Sequence, residues 1–337
     1  MKLTISQIAK MAGVSRGTVD RVLHHRGNVS KETKQKILSI IEKYDYQPNA
    51  IGSALARKKS YKIGVILLEK HNSFFQIIKN GALEAVKTYK DYHIELEIRH
   101  IPYLEVKDYI KALNELEPIV DALALVGLDN EIVLEKVNSL VQQKIPIMTM
   151  NTDLSNSLRT GFIGIDDYKG GMCIGGLIKD ILKENSTILL LSGDSIIRSQ
   201  QSRLEGFKQV LKSYPSIYLS DVFYTHDKIN EVYRYIYDTL SKKSYDAIVS
   251  MGSHVDMIVK AIKDLNLSNK PYILGFDLMP EYHDALANGE IDYIVDQNAF
   301  LQGYQTITCL CEYLIHKKQL PQGPQYLPIH IYNQYNI

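Results

Sequence analysis

Arg16 and Arg21 stand in the stretch Ser15-Arg16-Gly17-Thr18-Val19-Asp20-Arg21-Val22-Leu23. A planar guanidinium can meet the O6/N7 edge of a guanine with two parallel hydrogen bonds. Ser15, Arg16, Gly17 and Thr18 open a helical pattern, and the N–H groups and hydroxyls at a helix start can hold phosphate oxygens. His24, His25, Arg26 and Asn28 continue the polar, basic run. The adjacent histidines diverge on a helix, and no cysteine or acid completes a metal set around them.

The elements that must position these groups are legible on either side. Thr4-Ile5-Ser6-Gln7 fits a capping box, and Ile5, Ile8, Ala9 and Ala12 form a helical stripe that Gly13 ends. Ser15 can cap a second helix with Val19, Val22 and Leu23 inward. A third starts at Ser30 and is expected to bury Ile37, Ile40, Ile41 and Tyr44. Helix, glycine turn and second short helix are the parts of a helix-turn-helix, whose second helix enters the major groove.

Charge agrees with this division. Residues 1–62 carry 13 Lys and Arg against 4 Asp and Glu, whereas the remainder carries 26 against 34 within a net charge of +1. A polyanion partner is therefore expected for the front end alone. Hydrophobic residues make up 45% and charged residues 23%, a globular composition with no apolar run long enough to span a bilayer. Met1 to Gln7 shows no secretory pattern, so the expected compartment is the cytoplasm. Cys173, Cys309 and Cys311 match no zinc or disulfide framework, and the last two read as packing residues in a helical run.

From Tyr61 onward, short apolar runs at 63–68, 94–98, 122–126, 145–150, 188–191, 247–251, 272–276 and 293–295 alternate with helical stretches. That alternation predicts parallel sheets covered by helices, with ligands at the carboxyl ends of the strands. Gly170-Gly171 and Gly175-Gly176 lie inside a helical run and lack the order strand, G-x-G-x-x-G, helix. No P-loop or nucleophile signature is present, so neither an enzyme nor a cofactor is expected.

The run Thr4-Ile5…Ile8-Ala9…Ala12-Gly13-Val14-Ser15…Thr18-Val19…Arg21-Val22-Leu23 resembles the opening of LacI/GalR-type repressors. Val29-Ser30…Thr33…Ile37 and Tyr46-Gln47-Pro48-Asn49-Ala50 continue the likeness. Asp20 departs from it, standing where the family commonly has Ser. The resemblance implies a helix-turn-helix domain over 1–47 and a hinge over 48–60. The hinge helix would fold on DNA and wedge Leu55 into the minor groove, which costs a few kcal/mol and bends the duplex. The DNA-contacting set so implied is Thr4, Ser15, Arg16, Gly17, Thr18, Arg21, His24, Asn28, Asn49 and Leu55.

Residues 61–337 look like the two-lobed periplasmic sugar-binding-protein fold shared by these repressors. The marks are Asn72-Ser73-Phe74-Phe75, Ser202-Arg203…Gly206-Phe207, Gly275-Phe276-Asp277 and Asp296-Gln297…Gln302-Gly303. The likeness implies an all-α domain followed by an α/β domain with parallel sheets. Lobe 1 is expected over 61–163 plus 298–323 and lobe 2 over 166–296 plus 326–337, with crossings near 164–167, 296–299 and 323–327. It also implies a sugar or polyol effector, double-stranded operator DNA as partner, a homodimer, and no membrane or metal. A sugar wants donors and acceptors for its hydroxyls and an aromatic wall for its C–H face. Position by position, the resemblance assigns the wall to Phe74 and Phe75 and the polar contacts to Asn72, Asn151, Arg203, Asp277 and Gln297. Thr152 replaces a common Arg. Gly252-Ser253-His254 replaces an Asn-Asp pair, so His254 is expected to rebuild that contact.

Overall fold

The computed structural model describes residues 5–23, 27, 29–44, 60–68, 72–102, 105–226, 228–267 and 269–337. The chain divides into two compact units, residues 1–60 and 61–337. Thr4, His24, Asn28, Asn49, Leu55 and the expected hinge up to residue 59 lie outside the described residues.

The first unit holds α1 (Ile5–Ala12), α2 (Arg16–Leu23) and α3 (Lys31–Lys43). Gly13 takes φ +73°, a left-handed conformation that costs glycine nothing, and the chain turns there. The Val14 N–H closes the turn onto the Ala9 carbonyl at 3.0 Å. Ser15 Oγ then accepts from the Thr18 N–H at 3.2 Å, and Ser30 Oγ does the same for Thr33 at 3.3 Å, so both later helices start on side-chain caps. Ile8, Ala9, Ala12, Val19, Val22 and Ile37 form the small core. Tyr44 corrects the expectation of burial. α3 ends at Lys43, so Tyr44 leaves the inward helical register and is 45% exposed, with the Lys43 ammonium over its ring.

The second unit is built on two sheets. The first contains β1 (Tyr61–Leu68), β2 (Ile94–Ile101), β3 (Ala122–Val126), β4 (Ile147–Met150), β5 (Gly161–Gly164) and β11 (Gly323–Tyr326). The second contains β6 (Thr187–Ser192), β7 (Tyr218–Tyr224), β8 (Ala247–Ser250), β9 (Tyr272–Phe276), β10 (Tyr293–Asp296) and β12 (His330–Tyr332). Strand orders are β11-β5-β4-β3-β1-β2 and β12-β10-β9-β8-β6-β7, so the lobes repeat one topology. The described pairings are parallel except β10 with β12. Central strands are buried on both faces, as helices on either side of a parallel sheet require.

The chain passes between lobes after β5, after β10 and after β11. Gly323–Tyr326 is strand in the first sheet, so the third passage falls at 327–329, later than the sequence suggests. Four strands escape the apolar-run reading: β5, β7, β11 and β12. β5 is four residues long with a glycine at each end. β7 is an edge strand, half exposed and rich in tyrosine.

Each lobe is closed by one pair of helices packed backbone to backbone. In lobe 1, α4 (Ser73–Thr88) meets α12 (Ala299–His316), which carries Cys309 and buried Cys311. A Cβ at Gly81 would land on the Phe300 carbonyl and one at Gly303 on the Ile78 carbonyl. In lobe 2, α7 (Asp167–Ile181) meets α8 (Arg198–Leu211) in the same way. Gly171 lies against the Arg203 carbonyl and Gly206 against that of Tyr168. Of the glycines that failed as a nucleotide signature, Gly171 and Gly175 thus serve helix contact.

Gly176, on the same helix as Gly171, has nothing near its missing Cβ. Thermal unfolding of two single variants should therefore separate in sign. Gly176→Ala should gain about 0.5–1 kcal/mol from helix propensity, while Gly171→Ala should lose about 1–3 kcal/mol by overpacking. Equal effects would contradict the contact.

Candidate ligand-binding site

Strand ends from both lobes converge on one cavity of about 790 Å³, counted out to its open mouth. Lobe 1 contributes Asn72, Phe74 and Phe75 after β1, Gly127, Leu128 and Asp129 after β3, and Asn151 and Thr152 after β4. Lobe 2 contributes Gly193 and 196–200 after β6, Arg203 from α8, Gly252 and Ser253 after β8, and Asp277 after β9. Gln297 comes from the second crossing.

The repeated topology places two polar groups at equivalent points. β4 and β9 hold the same place in their sheets, and the residues that follow them, Asn151 and Asp277, have φ of 62° and 70°. Asn and Asp tolerate this left-handed turn better than other side chains. Both turns are pinned the same way: the Asn151 N–H donates to the Ile163 carbonyl at 3.1 Å and the Asp277 N–H to that of Val295 at 2.9 Å.

Gln297 joins the two. Asn151 Nδ2 donates to Gln297 Oε1 at 3.1 Å, and Gln297 Nε2 donates to Asp277 Oδ1 at 2.7 Å. Gln302 Nε2 supports the Gln297 carbonyl from one helical turn on, at 2.8 Å. All four residues are buried. Arg203 is 3% exposed and fixed from three sides. Its Nε donates to Asp167 Oδ1 at 2.8 Å, its Nη1 to the Met251 carbonyl at 3.3 Å, and its guanidinium lies 4.1 Å from the Phe276 ring centroid.

Burial pushes the Asp277 and Asp167 carboxyls up to about 6, with Arg203 pulling both back down. Both are charged at neutral pH. Asp277 therefore offers a strong acceptor beside the amide and guanidinium donors, a mixture suited to hydroxyl groups. Phe74 and Phe75 meet edge to face at 5.4 Å. Asn72 is both rim and helix cap, since its Oδ1 accepts from the Phe74 N–H at 2.9 Å.

Asn72, Phe74, Phe75, Asn151, Arg203, Asp277 and Gln297 thus line one cavity. His254 is not among its lining residues. It turns through φ 70° at the start of α10 (Val255–Leu265), leaving Gly252 and Ser253 at the wall. Sequence reasoning missed Asp129, Arg198, Ser199 and Gln200, and missed Asp167 as the partner of Arg203. The rule that ligands sit beyond strand carboxyl ends, applied to Leu191-Ser192, points to Gly193–Gln200. At the start of α2 and along it, Ser15, Arg16, Gly17 and Arg21 are exposed and Thr18 is half-buried. Among the described residues there is no cluster that could hold a metal ion and no helix long and apolar enough to cross a membrane.

The raised pKa of Asp277 gives a signed prediction. Between about pH 4 and 6 the unfolded chain releases this proton while the folded one keeps it, so the charge lowers stability progressively as pH rises through that window. Asp277→Asn should equal the unsubstituted protein near pH 4 in urea unfolding and exceed it above pH 6 by something of order 3 kcal/mol. A gap that does not depend on pH would contradict this.

The chain matches bacterial regulatory proteins, lacI family, over residues 4–49 and the periplasmic binding protein domain over 63–318. Catabolite control protein A of Staphylococcus epidermidis is 28% identical over 215 residues, 64% of this chain and 63% of that protein. HTH-type transcriptional regulator DegA of Bacillus subtilis is 28% identical over 215 residues, 63% of this chain and 61% of that protein. The matched segment thus spans less than two thirds of these relatives. GanP, a glucose-galactose binding protein from Geobacillus stearothermophilus, has a TM-score of 0.73 at 22% identity, covering 83% of this chain and 99% of its own. The two-lobed unit thus belongs to the periplasmic binding protein domain family, and the three-helix unit in front of it is a helix-turn-helix domain of the bacterial regulatory, lacI-family type.

Proposed function

We propose that this chain is a sequence-specific DNA-binding transcription regulator, a repressor, controlled by a small sugar or polyol held between its lobes. The observation that carries the ligand half is the buried Asn151–Gln297–Asp277 chain facing Arg203 and the Phe74–Phe75 pair across one cavity. Donors and acceptors balance there beside an apolar wall. GanP, with the same fold, is named for glucose and galactose binding. The DNA half is supported by the lacI match over residues 4–49 and by exposed Arg16 and Arg21 on α2.

In this reading the protein works as a cytoplasmic homodimer, because paired readers bind a pseudo-palindrome far better than one does. Ligand shifts the closure of the lobes, and closure shifts the cost of folding the hinge and seating Leu55. The ligand changes operator affinity by its differential affinity for the two states and by no more. No reaction is assigned to the cleft. Its carboxylates serve hydrogen bonding, and the two relatives above are named as a catabolite control protein and a transcriptional regulator.

A thermal-shift panel of pentoses, hexoses, polyols, inositols and their phosphates tests the ligand half. A binder at about 100 times its Kd adds about 2.7 kcal/mol, and Asp277→Ala should remove that shift. Silence across the panel would overturn the sugar reading. For the reader, Arg16→Ala or Arg21→Ala should cost about 1–3 kcal/mol of specific DNA affinity in a fluorescence-anisotropy titration, with relaxed base preference. A uniform loss across all sequences would make the residue a phosphate contact instead.

A further inference from the structure

Among the described residues, three side-chain contacts run directly between the lobes, apart from the Gln297 chain. Ser73, the first residue of α4 in lobe 1, donates its hydroxyl to Glu281 in the turn after β9 in lobe 2. Asp129, after β3, pairs with Arg198 at the start of α8 at 3.6 Å. Thr152 and Ser199 bring their hydroxyls to 3.4 Å. These residues stand beyond the carboxyl ends of three strands of lobe 1 and two of lobe 2, in segments that also line the cavity. A change of interlobe angle about the crossings breaks the contacts without disturbing either lobe's own sheet.

The contacts differ in exposure. Thr152 and Ser199 are buried. Asp129 and Arg198 keep 42% and 49% of their side-chain surface exposed, so their attraction is screened by solvent and salt. A contact of that kind adds little to folding, yet an equilibrium between two arrangements of intact lobes responds to small biases.

We propose that Ser73–Glu281 and Asp129–Arg198 form a two-point clasp across the cleft mouth that holds the lobes closed. Retention of a ligand is then set by lobe-to-lobe contacts as well as by contacts to the ligand. This deepens the two-lobed reading above, and its test needs no ligand, so its failure is distinct from failure of the sugar assignment.

The experiment is a pulsed electron-paramagnetic-resonance distance between spin labels on Ile132→Cys and Ile229→Cys. Both positions are exposed, at the cleft-facing starts of α6 (Glu131–Gln142) and α9 (Ile229–Leu240). It uses the full chain with its three cysteines replaced by alanine and diluted with unlabelled protein. The intact clasp should give one short, narrow distance. Glu281→Ala with Asp129→Asn should move weight to a longer distance, changing the closed-to-open ratio by up to about 25-fold, given up to about fivefold for each exposed contact. Raising the salt to 1 M should open the intact clasp part of the way and have less effect once Asp129→Asn is in place. Ser73→Ala with Arg198→Gln breaks the same bridges from the other side and serves if the first pair folds poorly. A broad, open distribution in the unsubstituted chain, or a distribution unmoved by either pair, overturns the clasp.

Discussion

A single amide governs the cleft. Gln297 has one acceptor and one donor end, and it spends them on opposite lobes: the first on Asn151, the second on Asp277. Reversing the amide would set oxygen against carboxylate and nitrogen against nitrogen. Its orientation is therefore fixed, and with it the orientation of both partners. Because Gln297 lies in a crossing segment, the polar floor is anchored at the junction of the lobes. Loss of that side chain would leave two buried polar groups with fewer partners, at about 1–3 kcal/mol for each group left unsatisfied.

That arrangement depends on the rest of the fold being stiff. The repeated sheets bring β4 and β9 to equivalent positions, and the left-handed turns at their ends aim Asn151 and Asp277 at the same space. Paired glycines lock α7 to α8, which sets Asp167 beside Arg203 and leaves the guanidinium no freedom against the Phe276 ring. Two carboxylates around one buried guanidinium leave a net negative charge, and burial answers by raising both carboxyl pKa values to about 6. The chemistry of the cleft is thus a consequence of helix packing several residues away.

Much of this was legible in the sequence and some of it was not, for physical reasons. Gly13, Ser15 and Ser30 announced the helix boundaries of the first unit because caps and left-handed turns demand particular side chains. Buried central strands read as apolar runs. β7 did not, since an edge strand is half solvated, and β5 did not, since four residues flanked by glycine carry too little pattern. Phe74, Arg203, Asp277 and Gln297 were found through family likeness, which compares positions. Asp129, Arg198 and Ser199 were missed because exposed charges and hydroxyls in loops look alike until two lobes bring them together. Asp167 was missed because its partner Arg203 is 36 residues away, a distance no local pattern spans.

The central claim is that the cleft and the DNA reader are coupled. The most direct measurement is the Kd for a DNA site selected from a random library by the protein itself, taken with and without a saturating amount of the sugar that most raises its Tm. Coupling between sites typically lies between about 5-fold and 150-fold. The account predicts a shift in that range for the unsubstituted protein and none for Asp277→Ala, which no longer holds the sugar. Equal DNA affinity with and without a sugar that demonstrably occupies the cleft would contradict it.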